Sequence, residues 1–148
     1  MRISKDAIAI DVPDRWEGRI FRHPGGEPTL HAANFALPTA DGDYGAGALA
    51  EMGSGGAFVA ITEFDPGLAT TALFHLQGLP SGLHARDFHP RQLQRRRPGQ
   101  AGLQRFFHVR GRAFCLYAVI GTEPSREHLV RSVNGVLAAL HIGPRRDG

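Results

Sequence analysis

Ala113-Phe114-Cys115-Leu116-Tyr117-Ala118-Val119-Ile120 is apolar without interruption, and shortly after it Leu129, Val130, Val133, Val136, Leu137 and Leu140 recur at helical spacing. An unbroken apolar run of this length, rich in aromatic and β-branched residues, predicts a strand rather than a helix. Because no position in it is polar, both of its faces must be covered, as for an interior strand of a sheet. The second pattern is a wide apolar stripe with Arg126, Arg131 and Asn134 on the other side, the mark of an amphipathic helix that packs by one face. Pro124 opens that helix, where its missing N–H is harmless, and Gly143-Pro144 stops the chain's order.

Upstream, Leu103 to Val109 and Arg112 to Ile120 read as antiparallel strands joined tightly at Arg110-Gly111. Ala57 to Phe64 alternates Phe58, Ala60, Thr62 and Phe64 with Val59, Ile61 and Glu63, as a further strand does. Ile8 to Val12, stopped by Pro13-Asp14, then Trp16 to Phe21 with Trp16 and Ile20 on one face, and Leu30 to Leu37 after the turn at His23-Pro24-Gly25-Gly26, supply three more. Ala46 to Met52 holds two helical turns, which Gly53-Ser54-Gly55-Gly56 ends. Pro66 to Pro98 carries four prolines and no sustained period, so irregular structure is expected there, with one short helix over Pro90 to Arg96. The reading is an α+β single domain over residues 1–143, with a mainly antiparallel sheet of about six strands, the C-terminal helix on one face, and a disordered tail over 144–148.

Composition agrees with one domain. The chain has 148 residues, 42% apolar and 21% charged, enough for a core without metal or disulfide staples. Cys115 is its single cysteine, which excludes an intrachain disulfide framework and a multi-cysteine zinc site. Lys5, Asp6 and Asp11 interrupt the N-terminal segment before any apolar run of signal-peptide length, and no run approaches a membrane span, so a soluble cytoplasmic protein is expected.

Charge is unevenly spread. Lys5 is the only lysine among 17 basic residues, a skew that G+C-rich coding explains as well as selection does. Pro80 to Arg112 holds eight arginines (86, 91, 95, 96, 97, 105, 110 and 112) against Asp87, a local +7, while nine basic and thirteen acidic residues elsewhere sum to −4. Such asymmetry predicts a cationic patch on a mildly acidic body, or a solvated loop with adventitious arginines. Arg91, Arg95, Arg96, Arg97 and Arg105 are the candidate binding residues, since guanidinium forks engage carboxylate or phosphate in bidentate fashion. Phe88, Phe106 and Phe107 lie nearby and are candidates for stacking on bases, although at strand spacing Phe106 and Phe107 point to opposite faces.

Other candidates carry less. Cys115 sits in the most apolar strand, where burial raises a thiol's pKa and blocks access. His84, Asp87 and His89 are metal-ligand types within six residues, but Arg86 stands among them and no i, i+4 pair arises, so no metal site is expected. Asp41-Gly42-Asp43-Tyr44 offers too few oxygens for a calcium loop, and Gly53-Ser54-Gly55-Gly56 precedes a strand rather than the helix N-terminus a phosphate loop needs. No nucleophile elbow, phosphate loop or dinucleotide fingerprint occurs, so neither catalytic residues nor a cofactor are assigned.

The N-terminal Val12-Pro13-Asp14-Arg15-Trp16 and the C-terminal strand Phe114 to Ile120, followed by an amphipathic helix ending Val136-Leu137-Ala138-Ala139-Leu140-His141-Ile142, resemble the two ends of the PsbP-like superfamily. The resemblance implies an α/β/α sandwich around an antiparallel sheet, and a mostly non-catalytic role as an accessory, adaptor or chaperone-like protein; it implies no catalytic residues. This sequence lacks the lipid-attachment cysteine of the superfamily's lipoprotein members. A protein-binding module using the arginine-rich surface is therefore the expected function, with another protein as partner. The alternatives are an anion or nucleic-acid binder through the Arg86 to Arg112 patch, and a small hydrolase assembled from distant segments.

Overall fold

The computed structural model describes residues 1–122 and 126–145. Among these residues eight strands form two antiparallel sheets, and two α-helices accompany them. The larger sheet contains β3 (Glu17–Arg22), β4 (Pro28–Ala33), β5 (Ala57–Phe64), β6 (Ala101–Val109) and β7 (Arg112–Ile120) in the order β3-β4-β5-β7-β6. The smaller contains β1 (Arg2–Lys5), β2 (Ile8–Asp11) and β8 (Leu140–Ile142) in the order β1-β2-β8.

The apolar run at 113–120 does form a strand buried along its whole length, one place in from the sheet edge, with β5 in the middle. It is joined to β6 by Arg110 and Gly111, both at positive φ (52° and 75°), the geometry that matches a hairpin turn to the right-handed twist of its strands. Helix α2 (Arg126–Ala138) buries Leu129, Val130, Val133, Val136 and Leu137 and packs on β5 and β7. The helix start expected at Pro124 lies outside the described residues. Among those described, no helix is long and apolar enough to cross a membrane.

One face of the large sheet, bearing Leu30, Ala32, Val59, Ile61, Leu103, Phe107, Phe114, Leu116 and Ala118, is covered by α2 and by Ile8, Ile10 and Val12 of the N-terminal segment. The opposite face is covered by α1 (Ala46–Glu51) with Phe35, Leu37, Tyr44 and Leu93, and further along by Ala69 and Phe74. This second cover is mostly irregular: Pro66–Thr70, Ala72–Phe74, Ala85–Asp87 and Pro90–Gln92 are short 3-10 turns.

Three expectations need correction. Among the described residues the strands number eight, in two sheets, rather than about six in one, because Arg2–Lys5 and Leu140–Ile142 pair with β2 in a sheet of their own. Leu140 does not extend the helical stripe; Ala139 turns the chain, and Leu140 pairs with Ile10 in the small sheet, buried there by strand geometry instead. Residues 90–96 do not form a helix beyond the single turn at Pro90–Gln92, for the reason given below. Arg145 pairs with Glu27 at 2.9 Å, and residues 146–148 of the expected tail lie outside the described residues.

The two sheets are joined through a buried ion pair. Glu63 of β5 and Arg112 of β7 meet at 2.7 Å, each side chain 1% exposed. All five guanidinium N–H groups are engaged: Nε and Nη2 donate to the Glu63 carboxylate, Nη2 also to Asp6 O, and Nη1 to Ala7 O and Gly143 O. Asp6 and Ala7 form the β1–β2 turn at φ 52° and 58°, a conformation that costs a residue with a Cβ roughly 1–2 kcal/mol. Gly143 N–H donates to Ala7 O at 2.8 Å, so one guanidinium and one glycine hold the turn and the end of β8 together.

Arg112→Leu should therefore leave Glu63 buried with only Arg145 Nη1, 3.7 Å from its Oε2, to offset its charge, and lower unfolding stability by about 3–5 kcal/mol, measured by urea denaturation. The double variant Arg112→Leu/Glu63→Leu should recover part of that loss, since the stranded charge is gone.

Candidate functional site

The candidate arginines sit on a segment tied along the edge strand β6. His89 N–H donates to Gly102 O at 2.8 Å and Gly102 N–H returns a bond to His89 O at 3.1 Å. Leu93 then packs over Gly102 so closely that a Cβ there would approach Leu93 Cδ2 to 2.7 Å. Between them the Gln92 side chain takes the place of a strand: its Oε1 accepts from Gln104 N–H at 3.0 Å and from Arg105 Nη1 at 3.3 Å, and its Nε2 donates to Asp87 O. A continued helix would turn Leu93 and Gln92 away from these partners, which is why helical geometry stops after one turn. Gln94 N–H donates to the Tyr117 hydroxyl at 2.8 Å, fixing the chain again just before Arg95.

Arg91, Arg95 and Arg96 are exposed, Arg97 is half-buried, and Arg105 is half-buried on β6 itself, tied to Gln92 and to Gln104 O. Arg97 lies close enough to Tyr117 for its charge to offset part of the upward shift that burial imposes on the phenol. Of the remaining arginines of the cluster, Arg86 and Arg110 are exposed. Arg112 does not belong to the surface at all, because it is the buried partner of Glu63. The exposed charge of the segment is accordingly one unit below the +7 counted along the sequence. Among the described residues, none of the seven other arginines reaches a carboxylate within 4 Å, and the Asp87 carboxylate instead accepts from His84 N–H at 2.8 Å.

The candidate stacking aromatics are placed elsewhere. Phe88 and Phe107 are core residues at 3% and 0% exposure, and Phe106 packs at ring-centroid distances of 5.5 Å from Phe74 and 6.2 Å from Phe64. The exposed apolar groups along this edge are aliphatic: Leu73 at 59% and Leu76 at 43%. Leu76 O accepts from His108 N–H at 2.8 Å, so these leucines flank the opposite end of β6 from the arginine segment.

The other polar residues singled out in the sequence have structural work. His89 Nδ1 accepts from Arg91 N–H, and no group of three or more metal-ligating residues forms among the described residues. Asp41 accepts from Gly47 and Ala48 N–H at 2.8 and 2.9 Å, holding the start of α1. Gly53 to Gly56 is a turn closed by Gly56 N–H to Gly53 O at 3.0 Å. Cys115 is fully buried, and burial raises its thiol to about 11.

A polar cluster that sequence reading missed lies under the 41–44 loop. His31, 2% exposed and edge-on to Phe21 and Phe58, meets Asp43 O through Nε2 at 2.9 Å; Thr29 donates to Asp43 Oδ1, and His23 lies 3.4 Å from the same oxygen. Burial lowers the His31 pKa from its ordinary 6.5, opposed by its bond to Asp43. The signal available was His31 on an otherwise apolar strand. Its burial and its bond to Asp43 O make it a buried polar anchor for the loop.

Two measurements check these placements. Because His31 is held neutral, its contribution to stability is fully present above pH 6.5 and is lost as pH falls through the lower folded-state value, so denaturation midpoints should decline on acidification below 6.5. The decline should be shallower in His31→Gln. Cys115 should react with a thiol reagent slowly in the native protein and quickly in denaturant; fast native labelling would contradict its burial. No family model matches the chain, and no curated protein and no solved structure matches it either, so its function has to be read from its own geometry.

Proposed function

We propose that this chain is a non-catalytic accessory or adaptor module that binds an acidic surface on another protein along the β6 edge. The observation that carries the reading is the set of arginines at 91, 95, 96, 97 and 105, held on an anchored segment with no carboxylate within ion-pair distance among the described residues. Cationic groups left without internal carboxylate partners raise the potential of that edge and favour encounter with an anionic one. Leu73 and Leu76, exposed beside His108, lie about six residues along β6 from the arginine anchor at Gly102, roughly 20 Å at strand rise. An apolar anchor at one end and charge at the other is the usual division between affinity and steering in protein interfaces.

A protein partner is favoured over single-stranded nucleic acid because the aromatic rings near the arginines are packed inward, leaving leucines rather than a stacking platform on the edge. The PsbP-like resemblance of the two chain ends accords with this reading, as does the layering of the large sheet between α2 with the small sheet and α1 with the irregular cover.

Replacing Arg95, Arg96 and Arg97 together with Ser should change stability by no more than about 0.5 kcal/mol per site, since the side chains are largely outside the core. It should sharply weaken the association recovered by affinity pull-down and mass spectrometry, and raised salt should do the same to the native protein. Nuclease-resistant capture with salt sensitivity supports an acidic protein partner. Capture lost on nuclease treatment, or binding unchanged in the triple variant at every salt concentration, overturns the proposal.

A further inference from the structure

The two edges of the large sheet are treated differently. Edge strand β6 is closed at both ends, by His89 on Gly102 and by Leu76 and Gly78 on His108. The other edge strand, β3, has no such cover. Its outward groups follow from the ladder. Val109 and Arg112 flank a two-residue turn and so exchange both backbone bonds, and every second pair does likewise. Carried across the registers of the sheet, this alternation points Asn34 toward β5, where its N–H meets Ala57 O at 3.2 Å, and directs Glu17, Arg19 and Phe21 at β4. Gly18, Ile20 and Arg22 therefore point N–H and C=O away from the sheet, and among the described residues these groups have no hydrogen-bond partner. The small sheet does not occupy that direction: it meets Gly18 along the line of a Cβ, with Val12 and Ile3 side chains at 2.8 and 3.2 Å, which is the sheet's face and not its edge.

We propose that β3 pairs antiparallel with β3 of a second copy of this chain, about a two-fold axis at Ile20, joining the two large sheets into one. The occupant follows from charge complementarity. Outward residues must face outward residues, so self-pairing is limited to registers two residues apart. Centred on Arg19, the pairing sets Arg19 against Arg19 of the second copy. Centred on Phe21, it sets Arg19 against His23, runs into Pro24, which has no N–H to donate, and leaves Glu17 facing the turn. Centred on Ile20, it places Glu17 opposite His23 of the second copy, Arg19 opposite Phe21, Arg22 opposite Gly18 and Ile20 opposite itself, with no like charges directly opposed. Cross-strand pairs of opposite charge or of cation and ring are stabilising, and like charges directly opposite are not. Glu17, Arg19, Arg22 and His23 already have partners within their own chain, at Leu37 N–H, Pro38 and Thr39 O, Asp6 and Asp43, so this register adds no unpaired charge at the seam and opposes none of like sign.

The test is the mass of the full chain by sedimentation over rising concentration, with the 16.0 kDa monomer giving way to twice that mass. Ile20→Pro removes an N–H that points away from β4, together with the half-buried Ile20 side chain; with the fold verified by its thermal transition, it should weaken self-association roughly tenfold or more. Should that variant fail to fold, Ile20→Cys and Arg22→Cys decide: mild oxidation should give a covalent dimer of the first, whose two copies sit across the axis, and little of the second, whose copies lie several residues apart. A monomer at every concentration overturns the proposal. So does a dimer that survives in folded Ile20→Pro, equal cross-linking of the two cysteine variants, or a β3 edge that captures only an unrelated protein strand.

Discussion

Glu63 and Arg112 are the constraint from which the rest of the architecture follows. A charge pair 1% exposed is stabilising only if its remaining hydrogen-bonding capacity is met, and here that capacity is met by backbone carbonyls from segments far apart in sequence: Asp6, Ala7 and Gly143. The requirement works in both directions. The guanidinium needs those carbonyls to be tolerated in the core, and the left-handed turn at Asp6-Ala7 needs the guanidinium to offset its backbone cost. Apolar packing alone would let the small sheet slide over the large one. Directional bonds to three carbonyls fix its position, and the Arg112 guanidinium at 5.1 Å from the Phe114 ring adds a further orientation.

Continuous apolar runs and helical stripes reported the large sheet and α2 well, because their burial is set by neighbours close in sequence or by covering both faces. β7, the Arg110-Gly111 turn and the apolar face of α2 were legible for that reason. The small sheet was not. Three residues at Leu140–Ile142 are too few to show alternation, and Leu140 falls in phase with the preceding helix, so only pairing with Ile8–Asp11 reveals a strand. Arg112 was misplaced because a charge at a strand start reads as surface unless its partner is known, and Glu63 lies 49 residues away. Of the candidate site, the clustering of arginines was readable, but the short 3-10 turn that replaces a helix at Pro90 depends on Gly102 and Tyr117, which no local pattern announces.

The two edges of the large sheet divide the surface into regions with different physics. Along β6 the backbone is largely sealed, so a partner there would meet side chains: cationic at one end and aliphatic at the other. Along β3 the backbone is open and the side chains are mixed in sign. Because β3 and β6 bound the same five-stranded sheet, joining copies through β3 would leave the two arginine-bearing edges facing outward at the far ends of a continuous sheet. Such an arrangement presents two equivalent sites at fixed separation, and a partner with repeated acidic segments would gain from the effective concentration this creates.

The pairing of Ile8 with Ile142 also dictates an order of assembly. The β6–β7 hairpin closes over two residues and can form early, whereas β2 and β8 must close a loop spanning nearly the whole chain, an entropic cost that only late contacts can offset. During synthesis the large sheet can therefore be complete while Ile8 and Ile10 have no β8 beside them and the Arg112 donor to Gly143 has no acceptor. That intermediate exposes an N-terminal hairpin with an unpaired apolar edge until residue 142 arrives. The window in which this protein is most open to misassembly is thus set by the arrival of β8.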